Sequence, residues 1–454
     1  MQKVNIYLLL FVLITVQTVW ASPRLTVVIA VDGLRSDNIE YMRNYWLPGG
    51  LRTLQEDAAQ TQLTFDFNVQ GGEETLATLL TGVQPCTHGL SFNHIFSRKD
   101  KQIHSFFEDK SEKGIGTKEQ VSLRQMPVPT VSDLYRIRYG KFTKIYAIGL
   151  QPSTALLLAG HSADGCCWLD RKTKKWATST YYSNGLPLAA DKENMSSRKA
   201  DSYAMPKCNS MVVDLALRIQ EQEMMGKDDT PDLLLLHFSL ERESAVTDCI
   251  QGKDEEDIHQ ALNQYTGFLI EQLQKRVGKE NVQFIVTGIP RHGQSAAQME
   301  RIGIPIHSFN LSRATALTSV YLMAIYGYEK WIDGCYGQSV YLNRTLIEEK
   351  GLDLQKIERQ VADFLTDFEG VQAAYPRHEA LLVPELTIGL AKPYIGDVVV
   401  SLQPSWRMMA DDENEVDHVM DSRVDVPLYW LRPNEKTTLP TPLRATELIH
   451  ILQQ

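Results

Sequence analysis

Acidic residues at the ends of predicted elements are the first side chains in this sequence that could do chemistry. Asp32 ends the apolar run of residues 25–31 and is followed by Gly33. An apolar run of this length without alternation predicts a strand that is buried on both faces. A carboxylate at the carboxyl end of such a strand stands where open α/β sheets bind their ligands. Asp32 is therefore a candidate binding residue, and the alternative is a polar residue that simply ends a strand.

Glu73 and Glu74 form a second acidic pair, just ahead of residues 75–81, which have the pattern of a short helix. Carboxylates in a first helical turn interact favourably with the helix dipole. We expect both glutamates to be solvated first-turn acids and Thr75 to be the N-cap residue of the helix.

The elements that would position these side chains follow an alternating pattern. Apolar runs at residues 144–150, 233–239 and 282–287 predict further buried strands, and apolar residues recur at helical spacing over 258–277 and 352–368. Alternating strands and helices predict an α/β fold, with a central, mostly parallel sheet and helices on both faces.

Composition limits the classes of protein that this chain can belong to. It has 454 residues, of which 43% are hydrophobic and 22% charged, and its formal net charge is −10. This is ordinary globular composition, and the length suffices for a large core. No Lys/Arg-rich run stands out, which argues against nucleic acid as the main partner.

The first 21 residues have the organisation of a signal peptide. Lys3 supplies the positive charge, residues 7–16 are apolar, and Ala21 offers a cleavage site. We expect cleavage after Ala21 and export, with the periplasm as the first expectation and secretion as the alternative. An uncleaved anchor helix is the competing interpretation. No second long apolar stretch follows, so the mature chain is predicted not to span a membrane.

The mature chain, residues 22–454, is predicted to be one domain with insertions. The polar stretch at 96–128 has the composition of a surface insertion, and a cap-like insertion is expected near 300–395. Six cysteines are present without a C-x-x-C pair or Cys/His ligand spacing, which favours core or paired cysteines over a metal site.

Several segments resemble one family in order along the chain. They are AVDGLRSD at 30–37, TLLTGVQPCTHG at 78–89, Asn93, LAGHSADGCCWLDRKTKKWATSTYY at 158–182, YLNRTLIEEKGLDLQKIERQVADFL at 341–365, GDVVVSLQPSW at 396–406 and DVPLYW at 425–430. These segments resemble the alkaline phosphatase superfamily, nearest the exported bacterial phosphate-irrepressible alkaline phosphatases and the type I phosphodiesterase/nucleotide pyrophosphatases.

The resemblance implies a phosphoryl-transfer site with two zinc ions and a Thr or Ser nucleophile. Asp32 matches the first metal ligand. Gly72 stands at the nucleophile position, six residues before Thr78, and glycine has no hydroxyl. Gln151 and Ser153 replace the Lys-x-Arg that holds phosphoryl oxygens in the family. Asn93, the other substrate-contacting position, is retained.

The remaining ligand positions depart further from the family. Arg242 and Val246 replace the Asp and His of the Asp-x-x-x-His motif. The later Asp-His pair becomes Ile289-Pro290, or Arg291-His292 if the loop is two residues longer. His418 is the candidate for the final His. An arginine ~5 Å from Zn²⁺ would cost ~6–7 kcal/mol at an effective dielectric of ~20, so two zinc ions are not expected.

Two hypotheses follow. In the first, the chain is an exported pseudo-phosphatase without a cofactor, which binds a ligand or a cell-envelope protein. Asp32, His292 and His418 would then be vestigial metal ligands. In the second, the chain is an active, zinc-dependent phosphomonoesterase or phosphodiesterase with a rebuilt site. Glu73, Glu74 and His94 would then replace the lost groups, and Thr75 would be the nucleophile.

Overall fold

A computed structural model describes residues 22–67, 69, 71–173, 175–182, 208–240, 252–290, 303–409, 425–433 and 438–453. In this part of the chain a ten-stranded sheet forms the centre of the molecule. The predicted signal peptide lies outside the described residues. No described helix is both long enough and apolar enough to cross a bilayer.

The strands have the following bounds: β1 (Leu25–Asp32), β2 (Ala59–Thr64), β3 (His94–Ser97), β4 (Gln102–Ser105), β5 (Gly114–Ile115), β6 (Ile145–Gly149), β7 (Gly165–Asp170), β8 (Lys175–Ser179), β9 (Asp232–Ser239), β10 (Val282–Ile289), β11 (His307–Phe309), β12 (Ile332–Tyr336), β13 (Ser339–Leu342), β14 (Val371–Pro376), β15 (Val398–Leu402), β16 (Trp406–Met408), β17 (Val426–Leu431) and β18 (Leu443–Arg444).

The described α-helices have the following bounds: α1 (Ser36–Met42), α2 (Gly50–Asp57), α3 (Gly72–Thr81), α4 (Pro85–His88), α5 (Val131–Tyr139), α6 (Pro152–Ala159), α7 (Asn209–Gln222), α8 (Gly252–Val277), α9 (Leu311–Tyr326), α10 (Arg344–Glu349), α11 (Leu354–Thr366), α12 (Arg377–Ala380), α13 (Pro384–Gly389) and α14 (Leu448–Leu452).

The order of strands in the main sheet is β18-β2-β17-β10-β1-β9-β6-β7-β8-β5. Its five central strands, from β10 to β7, run parallel to one another. The outer strands β17, β8 and β5 join it by antiparallel pairing. The predicted mostly parallel α/β sheet is confirmed, and all four predicted inner strands are present.

The central strands are buried on both faces because helices cover each side. All eight residues of β1 are buried. Side chains of β1 alternate between two hydrophobic cores, so that Val28 packs with α3, α5, α6 and α14, whereas Val27 packs with α1, α2, α7 and α8. This double cover explains why the strand is apolar along its whole length without alternation.

A second, four-stranded antiparallel sheet has the order β12-β13-β15-β14 and its own hydrophobic core. The apolar run at residues 398–402 forms β15 of this sheet, where it pairs with β13 and β14. The boundaries expected at 96–128 and 300–395 stay predictions.

Candidate functional site

Asp32 lies at the carboxyl end of β1, at the centre of the parallel part of the sheet. In register it is flanked by Ser239 of β9 and Ile289 of β10. Its backbone carbonyl accepts a hydrogen bond from Leu240 N at 2.9 Å, which fixes the strand end. The residue is only 1% exposed, so its carboxylate is deeply buried.

A histidine from the neighbouring strand contacts this carboxylate. Nε2 of His237 lies 2.9 Å from Oδ2 of Asp32, and the histidine side chain is fully buried. On the other side of the ring, Nδ1 accepts a hydrogen bond from Leu150 N at 3.3 Å, and Thr154 Oγ1 lies 3.4 Å from it. Because Nδ1 is the acceptor, the ring carries its proton on Nε2, facing Asp32.

Sequence reasoning missed His237. It stands in the apolar run LLLLHFS, two residues before the end of β9. The available signal was the imidazole itself, because a polar group inside a doubly covered strand requires a buried partner. The sequence did not identify that partner as Asp32.

The N-terminus of α3 is the second part of the candidate site. The helix begins at Gly72, the residue that the resemblance predicts at the nucleophile position. Oε1 of Glu74 accepts a hydrogen bond from Gly71 N at 3.0 Å. Oε1 of Glu73 accepts one from Ser153 Oγ at 3.0 Å.

Both glutamates are buried, with Glu73 5% and Glu74 2% exposed, so the expectation that they are solvated was wrong. All ten residues of α3 are buried, because the helix packs in the core that it shares with the main sheet and α6. Carboxylates at a helix N-terminus are stabilised by the unpaired N–H groups there.

Thr75 is not the N-cap residue, because that position is occupied by Gly71. Its hydroxyl lies inside the helix and donates to the Gly72 carbonyl at 2.7 Å. The residue is fully buried. In this conformation Thr75 serves the helix backbone and is not presented to a substrate.

Gln151 and Ser153, which the resemblance predicts at the positions of the family's Lys-x-Arg, lie at the start of α6. Gln151 is the N-cap residue of this helix, and its carbonyl accepts from Ala155 N at 3.1 Å. Ser153 is in the first turn, from which it reaches Glu73 of α3. The hydrogen bond between Ser153 and Glu73 therefore joins the N-termini of two helices.

Asn93 and His94 lie at the beginning of β3. The Asn93 carbonyl accepts a hydrogen bond from Phe106 N at 2.8 Å, whereas its Oδ1 is buried and has no hydrogen-bond partner among the described residues. His94 is exposed, and its ring packs edge-on against Tyr336 of the second sheet, with centroids 6.3 Å apart. Asn93 Oδ1 is thus unsatisfied among the described residues, while His94 contacts the second sheet.

The TLLTGVQPCTHG segment has a structural role. His88 is fully buried, its Nδ1 accepts from Leu90 N at 3.2 Å, and its Nε2 lies 3.1 Å from Thr78 Oγ1. Burial lowers the pKa of His88 to about 3, so the ring stays neutral. Gly82 ends α3 with φ +70°, a conformation that favours glycine.

A model of the type I phosphodiesterase/nucleotide pyrophosphatase family matches residues 26–425 of this chain. The chain belongs to this family. The resemblance to the alkaline phosphatase superfamily is thereby confirmed. The fold agrees with that of solved structures of alkaline phosphatase PafA.

Two curated relatives and one solved structure illustrate the similarity. A protein named calcium-transporting ATPase from Myroides odoratus is 21% identical over 87% of this chain and 84% of its own length. Alkaline phosphatase PafA from Elizabethkingia meningoseptica is 21% identical over 75% of this chain and 72% of its own. The crystal structure of wild-type PafA superimposes with a TM-score of 0.81, at 18% identity, over 95% of this chain and 96% of that one.

Two of the positions that the resemblance assigns to metal ligands lie among the described residues, Asp32 and Ile289. Asp32, the first ligand position, is in contact with His237. Ile289, one candidate for the later Asp-His pair, is a fully buried core residue that offers no ligating atom. Among the described residues no group of three His, Cys, Asp or Glu side chains could hold a metal ion. The other candidate positions lie outside the described residues: Arg242, Val246, Arg291, His292 and His418.

Proposed function

We propose that this chain is a catalytically silent member of the family that acts by binding rather than by hydrolysis. The observation that carries the proposal is the pair of buried carboxylates, Glu73 and Glu74, at the N-terminus of α3. Glu73 is bound to Ser153, and Glu74 is bound to the backbone of Gly71. The carboxylate groups of Glu73 and Glu74 thus occupy the end of the helix at which the resemblance predicts the nucleophile.

A helix N-terminus attracts anions, and phosphate groups commonly bind there. In this chain the same position would repel a phosphoryl group. A phosphate dianion ~5 Å from one carboxylate meets a repulsion of ~7 kcal/mol at an effective dielectric of ~20. Gly72 offers no hydroxyl, and the positions of the family's Lys and Arg carry Gln151 and Ser153 instead. Neither replacement supplies a positive charge.

The Asp32–His237 contact supports the same proposal. A metal ligand directs a lone pair at the ion. The groups that orient the ligand normally bond to those of its atoms that do not face the metal. Here a ring that carries its proton on Nε2 lies 2.9 Å from the carboxylate. Zinc binding at Asp32 would have to displace this proton-bearing group from a fully buried position.

We further propose that the protein is exported after cleavage at Ala21, to the periplasm, and that its partner is a ligand or a cell-envelope protein. The N-terminal segment carries this part of the proposal. Mass spectrometry of the protein isolated from the cell envelope tests it. A mature chain that begins at Ser22 is expected, and an intact N-terminus would contradict it.

Measurements of metal content and of turnover together test whether the protein lacks hydrolytic activity. The mature protein is assayed against p-nitrophenyl phosphate and bis-p-nitrophenyl phosphate, with and without added zinc, and its bound zinc is measured by elemental analysis. Alkaline phosphatase PafA serves as the active control. We expect less than one zinc per chain and no turnover above the buffer rate. Two zincs per chain with turnover of either ester would overturn the proposal in favour of an active hydrolase with a rebuilt site.

A further inference from the structure

Asp397, which directly precedes β15 of the second sheet, is a fully buried carboxylate between two arginines. Its Oδ2 lies 3.0 Å from Nη1 of Arg98, a residue of the turn between β3 and β4. Its Oδ1 accepts a hydrogen bond from Nε of Arg344, at the start of α10, at 2.7 Å. The backbone N–H of Leu342 also donates to Oδ2, at 2.6 Å. Both oxygens therefore have partners, and one negative charge faces two guanidinium groups.

A third arginine adds to this excess of positive charge. The guanidinium of Arg377, the first residue of α12, donates to two backbone carbonyl oxygens, at 2.7 and 3.0 Å, and these bonds bring no negative charge. Burial lowers the pKa of Arg377, and the charges of Arg344 and Arg98 lower it further, whereas Asp397 raises it. The three guanidinium groups are thus close enough to repel one another.

The second acid near these arginines does not restore the balance of charge. Glu358 of α11 is only 4% exposed, and burial together with the charge of Asp397 raises its pKa. Its Oε2 lies 3.6 Å from Nδ1 of His378. Glu379, the next acid along the chain, pairs with Arg359. The three arginines therefore face two carboxylates, one of which has a raised pKa and a histidine beside it, and an excess of positive charge remains.

Arg98 has an unused hydrogen-bond donor. Its guanidinium lies over the Tyr341 ring, with the central carbon 5.1 Å from the ring centroid. Nη2 is buried and has no hydrogen-bond partner among the described residues. A buried donor on a charged group is costly without an acceptor, and an ion or an ordered water commonly supplies one. The side chains of Arg98 and Arg344 are 31% and 41% exposed, so an anion in solution can reach them.

We propose that Arg98, Arg344 and Arg377 bind an oxyanion, namely a phosphate, sulfate or carboxylate group, which supplies the negative charge that the chain itself lacks there. Guanidinium groups are planar forks that suit these anions, and clusters of arginines commonly recognise them. Because Arg98 comes from the β3–β4 turn and the other two arginines come from α10 and α12, the bound anion would join the hairpin to the second sheet. The proposal does not depend on whether the chain hydrolyses phosphate esters at the main sheet.

The alternative is that these arginines only hold the hairpin on the second sheet. Lys101 of the same turn makes a contact of that kind, because its Nζ lies 2.7 Å from Oδ1 of Asp333 in β12. That pair has one cation for one carboxylate. The arginines around Asp397 outnumber their carboxylates, and this excess favours an anion site over a purely structural contact.

Isothermal titration calorimetry of the mature protein with sodium sulfate, at an ionic strength held constant with sodium chloride, tests the proposal. We expect saturable binding with a Kd of about 1 mM or tighter. Arg98→Gln and Arg344→Gln should each weaken it at least tenfold, because each removes a charged donor. Lys101→Gln is the matched control, since it removes one positive charge from the same turn and also breaks a contact with the second sheet. It should bind sulfate as the wild type does.

Titrations with phosphate and acetate identify the class of anion. Tighter binding of sulfate and phosphate than of acetate would assign the site to tetrahedral anions, and the reverse order would assign it to carboxylates. Circular dichroism verifies that each variant is folded, and Arg344→Gln carries the test if Arg98→Gln does not fold. A wild type that binds none of the three anions saturably would overturn the proposal. Binding that the arginine variants retain at full strength, or that Lys101→Gln weakens as much as they do, would overturn it as well.

Discussion

Oδ2 of Asp32 and Nε2 of His237 lie 2.9 Å apart, at a point where neither side chain reaches solvent. The two residues come from adjacent parallel strands, β1 and β9. The carboxylate that the family resemblance assigns to a metal is thus engaged by a neighbouring imidazole. The carboxylates at the start of α3 have partners of their own, Ser153 for Glu73 and the Gly71 backbone for Glu74.

The first prediction concerns the stability of this pair. His237→Ala removes a buried ring that contacts the Asp32 carboxylate and should lower the free energy of unfolding by ~2–4 kcal/mol. Asp32→Asn retains an acceptor facing His237 and should cost less than half as much. Urea unfolding in the presence of EDTA gives both values. A loss below about 1 kcal/mol for His237→Ala would show that the contact does not stabilise the fold.

The second prediction concerns anion binding at the N-terminus of α3. Glu73→Gln removes one buried charge and keeps a group that can accept from Ser153. We expect at least a tenfold gain in phosphate affinity by calorimetry, because a carboxylate ~5 Å from a phosphate costs ~3 kcal/mol per unit of charge at an effective dielectric of ~20. Glu56→Gln, at an exposed position of α2, is the control for the change in net charge and should bind as the wild type does. Equal binding by all three proteins would contradict the prediction.

The third prediction concerns acid sensitivity. The pKa of His88 is lowered to about 3, mainly because burial disfavours the charged ring. The unfolded chain, with a pKa near 6.5, takes up a proton first as the pH falls. The contribution of His88 to stability is therefore intact above about pH 6.5 and is lost toward pH 3, at ~1.4 kcal/mol per pH unit.

His88→Asn removes this sensitivity. The stability advantage of the wild type over the variant should shrink by ~2 kcal/mol between pH 6.5 and pH 4.5, measured by urea unfolding at each pH. His450→Asn, at an exposed histidine, is the control and should show no such trend. A pH-independent difference for His88→Asn would mean that the buried ring does not stay neutral.

The fourth prediction separates backbone strain from packing at two helix ends. Gly82 and Gly89 both follow a helix in the left-handed conformation, with φ of +70° and +84°. An added Cβ at Gly82 would lie 2.5 Å from Ile449 Cγ2, whereas at Gly89 the nearest atom would be Pro127 Cδ at 3.7 Å, an ordinary contact. Gly89→Ala should cost ~1 kcal/mol of stability from strain alone. Gly82→Ala should cost ~2–4 kcal/mol, because overpacking adds to the strain. Similar losses of stability for the two variants would mean that backbone strain alone accounts for the effect and that overpacking adds nothing.

The sequence by itself determined the fold class and the family. Buried strands such as β1 are visible as apolar runs, because burial on both faces selects apolar residues at every position. The absence of a hydroxyl at Gly72 is likewise a property of the sequence. The exchange of the family's Lys and Arg for Gln151 and Ser153 can also be read without any structure.

Only the tertiary structure decided which groups pair. His237 and Asp32 are distant in sequence, and parallel pairing of β9 with β1 brings them together. Ser153 meets Glu73 because α3 and α6 begin at the same edge of the sheet. The burial of Glu73 and Glu74 could not be predicted either, since two acids before a helix have the same local pattern in solvent and in a core. Local patterns record which face of an element is apolar, whereas the partner of a polar group depends on chain segments that only folding makes adjacent.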